Sequence, residues 1–247
     1  MSSVSTQDRR WRTTTAPVPA TATVANAPRP THFHHRTAPI VGAVTSAPVP
    51  LDEALSFART GDLWLFRGRT VADRAIHVAT NSPINHVGIA VVIDDLPPLI
   101  WHAALDRKLV DVWSAAHVRG TQLNRLDVAA RRWYDLGNRV WVRAISPDLT
   151  DRHERLLLET IEETDGRGFP GTASMARRWL VGRARRDTGM ETAYCAEVVA
   201  STYIRMGLLP ANRPANWYDP GRFWSGDGLD LLDGFEHEPE VEVLIES

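Results

Sequence analysis

From Leu51 onward the chain alternates short apolar runs with polar breaks, and the period of each run predicts an element. Leu51, Ala54, Leu55 and Ala58 recur at helix spacing over Leu51–Thr60, and Gly61 ends the run. Asp62–Phe66 reads as a strand, after which Gly68 and Thr70 lead into a short helix around Val71–Ala79 and a turn at Thr80–Pro83. His86–Ile93 is nearly continuous in apolar side chains, the pattern of a strand buried on both faces. Leu99–Ala103 reads as its hairpin partner across Asp94–Pro98, Leu109–Trp113 as a third strand and Arg139–Ile145 as a fourth. A helix is expected from the Asp148–Asp151 region to about Thr164, with Leu156, Leu157 and Ile161 on one face. Past a Gly/Pro-rich loop at Gly166–Gly171, Thr192 is placed to cap a last helix through Met206, with Gly207 at its C′ position. Strands in the middle and helices before and after them predict an α+β domain with a central antiparallel sheet rather than a run of βαβ units.

The two ends have a different texture. Residues 1–48 are mostly Ala, Pro, Thr, Ser and Val without periodicity, and carry five arginines against Asp8 alone. Such a composition buries too little apolar surface to offset its ordering entropy, so it predicts a disordered leader. Arg9-Arg10 and Ala25-Asn26-Ala27 faintly imitate a signal peptide, but threonines and prolines interrupt the stretch between them where an apolar core would be needed. No apolar run approaches the roughly 18 residues of a membrane span. The expectation is a soluble, cytoplasmic protein. Residues 226–247 hold eight acids and no Lys or Arg, which reads as an acidic tail. Val241, Val243 and Ile245 alternate within it and suggest an edge strand instead.

Composition narrows the class. The 247 residues are 43% hydrophobic and 23% charged, ordinary globular values that exclude wholesale disorder and fibres. A formal net charge of -2 provides no global basic field to collect nucleic acid or anionic membrane, so nucleic acid is not an expected partner. The His32-Phe33-His34-His35 cluster has imidazoles that could bind a metal, yet without Cys or carboxylate support in a leader it reads as solvated, and no metal or organic cofactor is expected.

Cys195 is the single cysteine, which rules out an intrachain disulfide. An arbitrary lone cysteine is most often an inert core thiol. Here the predicted helix places it in a first turn, where free N–H groups and the helix dipole favour a thiolate. A nucleophilic thiolate needs a base, and His86 opens a buried strand with Gly88 and Ala90 on its own face, small enough to admit the Cys195 helix. His102, on the next predicted strand, is placed to hold the imidazole.

Taken in order, Gly61-Asp62-Leu63-Trp64-Leu65-Phe66, Thr80-x-Ser82, His86-Val87-Gly88-Ile89 and Tyr194-Cys195-Ala196-Glu197-Val198-Val199 resemble the circularly permuted NlpC-type papain-like cysteine hydrolases. That group contains the YiiX-like proteins and their relatives the lecithin:retinol acyltransferases. The resemblance spans about residues 51–225 and includes Asp219-Pro220-Gly221, similar to the family's closing turn. It implies a permuted papain-like domain in which Cys195 is the nucleophile, His86 the base and His102 the third residue. The sequence departs from the pattern in having His102 where YiiX-like members usually carry glutamate, and Ala196 where many have Ser or Thr. The implied chemistry is acyl transfer through a thioester, with the backbone N–H of Cys195 helping to hold the oxyanion and Tyr194 and Glu197 as supporting neighbours.

Substrate is less legible. Aromatics in Phe169–Trp179 and Trp217–Trp224 would suit an acyl chain, and Arg177-Arg178 with the arginines of 183–186 an anionic group, although aromatics are more often core and arginine runs a solvated face. The expected substrate is a small molecule, peptide or lipid acyl compound. Two other classes compete: a papain-like module that binds without turnover, and an interaction protein working through its basic leader and acidic tail.

Overall fold

The computed structural model describes residues 47–68, 84–93, 96–104, 106–165 and 187–246. Residues 1–46 of the predicted leader, the Val71–Ala79 helix, the Thr80–Pro83 turn, the Gly166–Gly171 loop, the arginine clusters and the Phe169–Trp179 aromatics lie outside them.

The centre is a mostly antiparallel seven-stranded sheet with helices on both faces. In chain order the elements are β1 (Val49–Pro50), α1 (Leu51–Ser56), β2 (Leu63–Arg67), β3 (His86–Val91), β4 (Leu99–Ala104), β5 (Gly120–Arg125), α2 (Leu126–Asp135), β6 (Arg139–Arg143), β7 (Ile145–Ser146), α3 (Asp151–Thr164), α4 (Asp187–Met206), a 3-10 turn at Ala215–Trp217, α5 (Pro220–Ser225), β8 (Glu236–His237) and β9 (Val241–Leu244). The large sheet runs β1-β9-β6-β2-β3-β4-β5, with only β1 and β9 parallel, and β7 pairs with β8 in a small second sheet. No helix of the described residues is long and apolar enough to cross a membrane.

Alternation along the strands divides the core into two layers. Leu63, Leu65, Val87, Ile89, Val91, Leu99, Trp101 and Ala103 face α3 and α4, while Trp64, Phe66, Ala90, Ile100, Val140 and Val142 face α1 and α2. Every residue of β3 and β4 is buried, because both faces are covered. Helix α4 is fixed to its face by polar ties as well as packing. Trp101 Nε1 donates to Thr202 Oγ1 at 3.1 Å, and Tyr203 Oη donates to the Gly61 carbonyl at 2.6 Å. The Gly61-Asp62 pair is structural: Gly61 has φ +96°, where a Cβ would meet Leu149 at 2.6 Å, and the buried Asp62 carboxylate accepts from the Arg59 and Ile145 amides. Thr150 and His153 cap α3 reciprocally, and Gly207 ends α4 at φ +83°, as its sequence position predicts.

Several expectations are corrected. Helix α1 stops at Ser56 rather than Thr60. Leu109–Trp113 is a loop, because Val110, Val112 and Trp113 point to solvent and Asp111 turns inward to anchor it. The strand that follows β4 is instead Gly120–Arg125, and α2, which the apolar pattern did not mark, follows it at once. Helix α4 begins at Asp187 rather than Thr192. The acidic tail is part of the domain, since β9 lies between β1 and β6 with Val243 and Ile245 buried, and so is not an edge strand.

Candidate active site

His86 and His102 meet on the α2 face of the sheet. The β3–β4 register places Gly88 directly across from His102, where a Cβ would come within 2.7 Å of Ile100 and 3.0 Å of His102. The missing side chain lets the His102 ring lean along the sheet toward His86, whose Nε2 lies 3.0 Å from His102 Nδ1. Trp133 of α2 lies over both rings, stacked on His86 at 4.3 Å and edge-on to His102 at 5.2 Å, and Phe66 closes a further side at 5.6 Å.

A third group, missed in the sequence, completes the array. Asn124 of β5 faces the same side as His102, and its Oδ1 lies 2.6 Å from His102 Nε2 while its Nδ2 donates to the Val110 carbonyl at 2.8 Å. That carbonyl can only accept, and it fixes the direction of every proton in the chain. Asn124 must present its NH₂ to Val110 and its oxygen to His102, so His102 Nε2 carries a proton and its Nδ1 is a lone pair. His86 therefore donates from Nε2, which leaves His86 Nδ1 unprotonated. That nitrogen is buried without a hydrogen-bond partner among the described residues. One backbone carbonyl thus fixes the tautomers of two imidazoles and ends in a bare base nitrogen.

Burial keeps both rings neutral. The His86 pKa is pushed well down, first by desolvation and then by His102, and that of His102 falls to about 4 through burial, with its Asn124 bond and the Asp106 and Asp111 charges opposing the fall. Below pH 6.5, the ordinary histidine value, the unfolded chain binds protons that the native rings refuse. Stability is therefore fully present above that value and falls as pH drops toward 4, by on the order of 3 kcal/mol from His102 alone. Circular dichroism melts are expected to show a melting temperature lower by roughly 5 °C or more at about pH 5 than at pH 7.5. Equal melting temperatures would mean the rings are charged or exposed.

Cys195 is not with them. It lies eight residues into α4, in the apolar core with Val87, Ile89, Val198, Val199 and Tyr203, on the face of the sheet opposite Phe66, Trp133 and the His86 ring. Gly88 and Ala90 do share the His86 face, as alternation predicts, but that face admits Ile100 and α2 rather than the cysteine helix. Two further expectations are corrected by the earlier start of α4: Cys195 is beyond the first turn, where the dipole acts, and its N–H is taken by the helix ladder and is no oxyanion donor. Tyr194 is buried in the same core, and Glu197 Oε2 is buried without a hydrogen-bond partner among the described residues, its pKa pushed up by desolvation.

The Trp217–Trp224 aromatics do not line this site either. Tyr218 and Phe223 pack in the α4 core, and Trp217 is clasped between the Arg213 and Arg222 guanidinium groups at 4.0 and 3.6 Å. Asp219 caps α5 by accepting from the Arg222 amide at 3.1 Å. A surface cavity of about 260 Å³ at Arg59, Thr60, Asp148 and Glu154 contains none of the predicted residues. Among the described residues no three His, Cys, Asp or Glu side chains converge on a metal-holding cluster.

No family model matches the chain, and no curated protein matches it. A solved structure, the metalloprotein YiiX from Escherichia coli O157:H7, of the family DUF1105, aligns at 20% identity with a TM-score of 0.39. The alignment covers 59% of this chain and 64% of that one, so the match spans less than two thirds of YiiX, and a likeness of this size carries nothing over to the present protein.

Proposed function

We propose that the protein is a cysteine-dependent hydrolase or acyltransferase in which His86 Nδ1 is the base. The observation that supports this reading best is the one-way hydrogen-bond chain from Val110 through Asn124 and His102 to a bare, buried imidazole nitrogen. Leaving a buried acceptor unpaired costs about 1–3 kcal/mol, a cost that His237 also carries at its ring nitrogens, so it is the directed chain ending at His86 Nδ1 that sets this atom apart. The chain order His86, His102, Cys195 and the resemblance to permuted papain-like hydrolases supply the nucleophile.

In this mechanism the thiol proton of Cys195 passes to His86 Nδ1, and the thiolate sulfur bonds to the carbonyl carbon of an ester, thioester or amide. The resulting imidazolium is held by its Nε2–H bond to His102. Collapse of the tetrahedral adduct breaks the carbon–heteroatom bond, and His86 returns the proton to the leaving group. Water or another acceptor, activated by the same nitrogen, then releases the acyl group from sulfur. In the described arrangement the thiol and the His86 ring lie on opposite faces of the sheet, so this proton transfer requires a conformation of the β3 and α4 segments other than the one described. The substrate class is a small-molecule, peptide or lipid acyl compound.

Turnover of a p-nitrophenyl ester by the native chain, Cys195→Ala and His86→Ala tests this. Each substitution is expected to lower the rate by on the order of 10³-fold or more. A rate that survives Cys195→Ala overturns the assignment. The placement of Cys195 across the sheet favours a second reading, a papain-like domain that binds a ligand with an inert thiol, and absence of turnover in the native chain supports it.

A further inference from the structure

We propose that the loop of residues 106–119, between β4 and β5, docks the protein on an anionic lipid bilayer. Three apolar side chains stand out from this loop: Val110, Val112 and Trp113 are 50%, 39% and 51% exposed. Single exposed hydrophobics need no explanation, but a cluster held in water does. It is held there by construction. Asp111 is buried, with one carboxylate oxygen accepting the Leu123 amide at 2.8 Å and the other the Ser114 amide and hydroxyl, both at 2.6 Å. Asp111 N donates to the Ala116 carbonyl at 2.8 Å and Val112 N to that of Leu123 at 2.7 Å, and Leu109 is buried. With 109 and 111 pinned inward, 110, 112 and 113 are directed outward at no further ordering cost on docking.

Charge selects the partner. Arg107, Lys108 and Arg119 are exposed around the loop, and no described ion pair includes them. The two nearby acids are already engaged, Asp106 by Arg132 and Asp111 by the amides above. A tryptophan tip above a collar of unneutralised cations suits the headgroup boundary of an anionic membrane, where each basic residue contributes about 1 kcal/mol. Three side chains on a loop cover much less than the roughly 800 Å² per partner of a stable protein interface. The chain's net charge of -2 does not oppose this, because the effect is local and acts within a Debye length. Val110 links the surface to the histidines: its side chain is exposed while its carbonyl fixes Asn124. The docking proposal does not depend on catalysis.

Vesicle flotation of the full chain tests it, with phosphatidylcholine alone or mixed with phosphatidylglycerol. Binding is expected only to the anionic vesicles and is expected to fall with added salt. Arg107→Ala and Lys108→Ala are each expected to weaken it about fivefold, and Trp113→Ala by at least as much. All three positions are exposed, so melting curves should match the native one, and Val112→Ser provides a second apolar probe. No binding to anionic vesicles overturns the proposal. So does binding that ignores these substitutions, which would assign the affinity to the arginines of residues 1–48.

Discussion

Truncation of the chain after Gly234 is expected to leave no cooperatively folded domain. The eliminated segment contains β9, whose backbone pairs with β6 on one side and β1 on the other and whose Val243 packs with Ile245 against the α1/α2 core. Burying those two side chains stabilises the fold by about 1.5–3 kcal/mol each, before the opened edge of β6 is counted. Arg143 also depends on this segment. Its guanidinium donates to the Glu238 carbonyl at 3.0 Å and the His237 carbonyl at 3.3 Å, and burial already lowers its pKa. Without those acceptors a buried cation keeps only the Phe223 and Trp224 carbonyls. The sum approaches the 5–15 kcal/mol by which ordinary domains are stable, so a urea titration is expected to show no cooperative transition. A transition at the native midpoint would show that β9 is dispensable.

Asn124→Leu is expected to have the second-largest effect. The substitution leaves a buried N–H on His102 and a carbonyl at Val110 without partners, a cost of about 2–5 kcal/mol. It also removes the reference that fixes the proton positions, so His86 can take either tautomer. Asn124→Asp keeps an acceptor against His102 Nε2–H and is expected to preserve the tautomers while raising the His102 pKa. Nitrogen-15 NMR of the imidazoles reads this directly: protonation of His86 should be confined to Nε2 in the native chain and in Asn124→Asp, and spread over both nitrogens in Asn124→Leu. A native chain protonated at His86 Nδ1 would refute the derived direction.

The sequence was legible where burial alone decides the pattern. The run His86–Val91 and the Leu99–Ala104 strand are apolar on both faces because helices cover both, and alternation places His86 correctly beside Gly88 and Ala90. It misled where chemistry replaces hydrophobicity. β5 contains Gln122 and Asn124 on its inward face because His102 lies opposite, so the true strand reads as polar. Leu109–Trp113 imitates a strand because three of its apolar residues are held in solvent. Asn124 had one available signal, an amide two positions from another on a segment able to pair with the His102 strand. The face covered by α4 could not be deduced from small residues on β3, since Gly88 admits an isoleucine from the neighbouring strand as readily as a helix.

The central claim, that His86 activates Cys195, is tested most directly by the pH dependence of Cys195 alkylation with iodoacetamide in the native chain and in His86→Ala. The account predicts a native thiol that reacts well below the ordinary cysteine pKa of about 8.5, with the low-pH reactivity lost in His86→Ala. A thiol that stays silent until the protein unfolds, or reacts identically without His86, would contradict it and leave the domain a binding role.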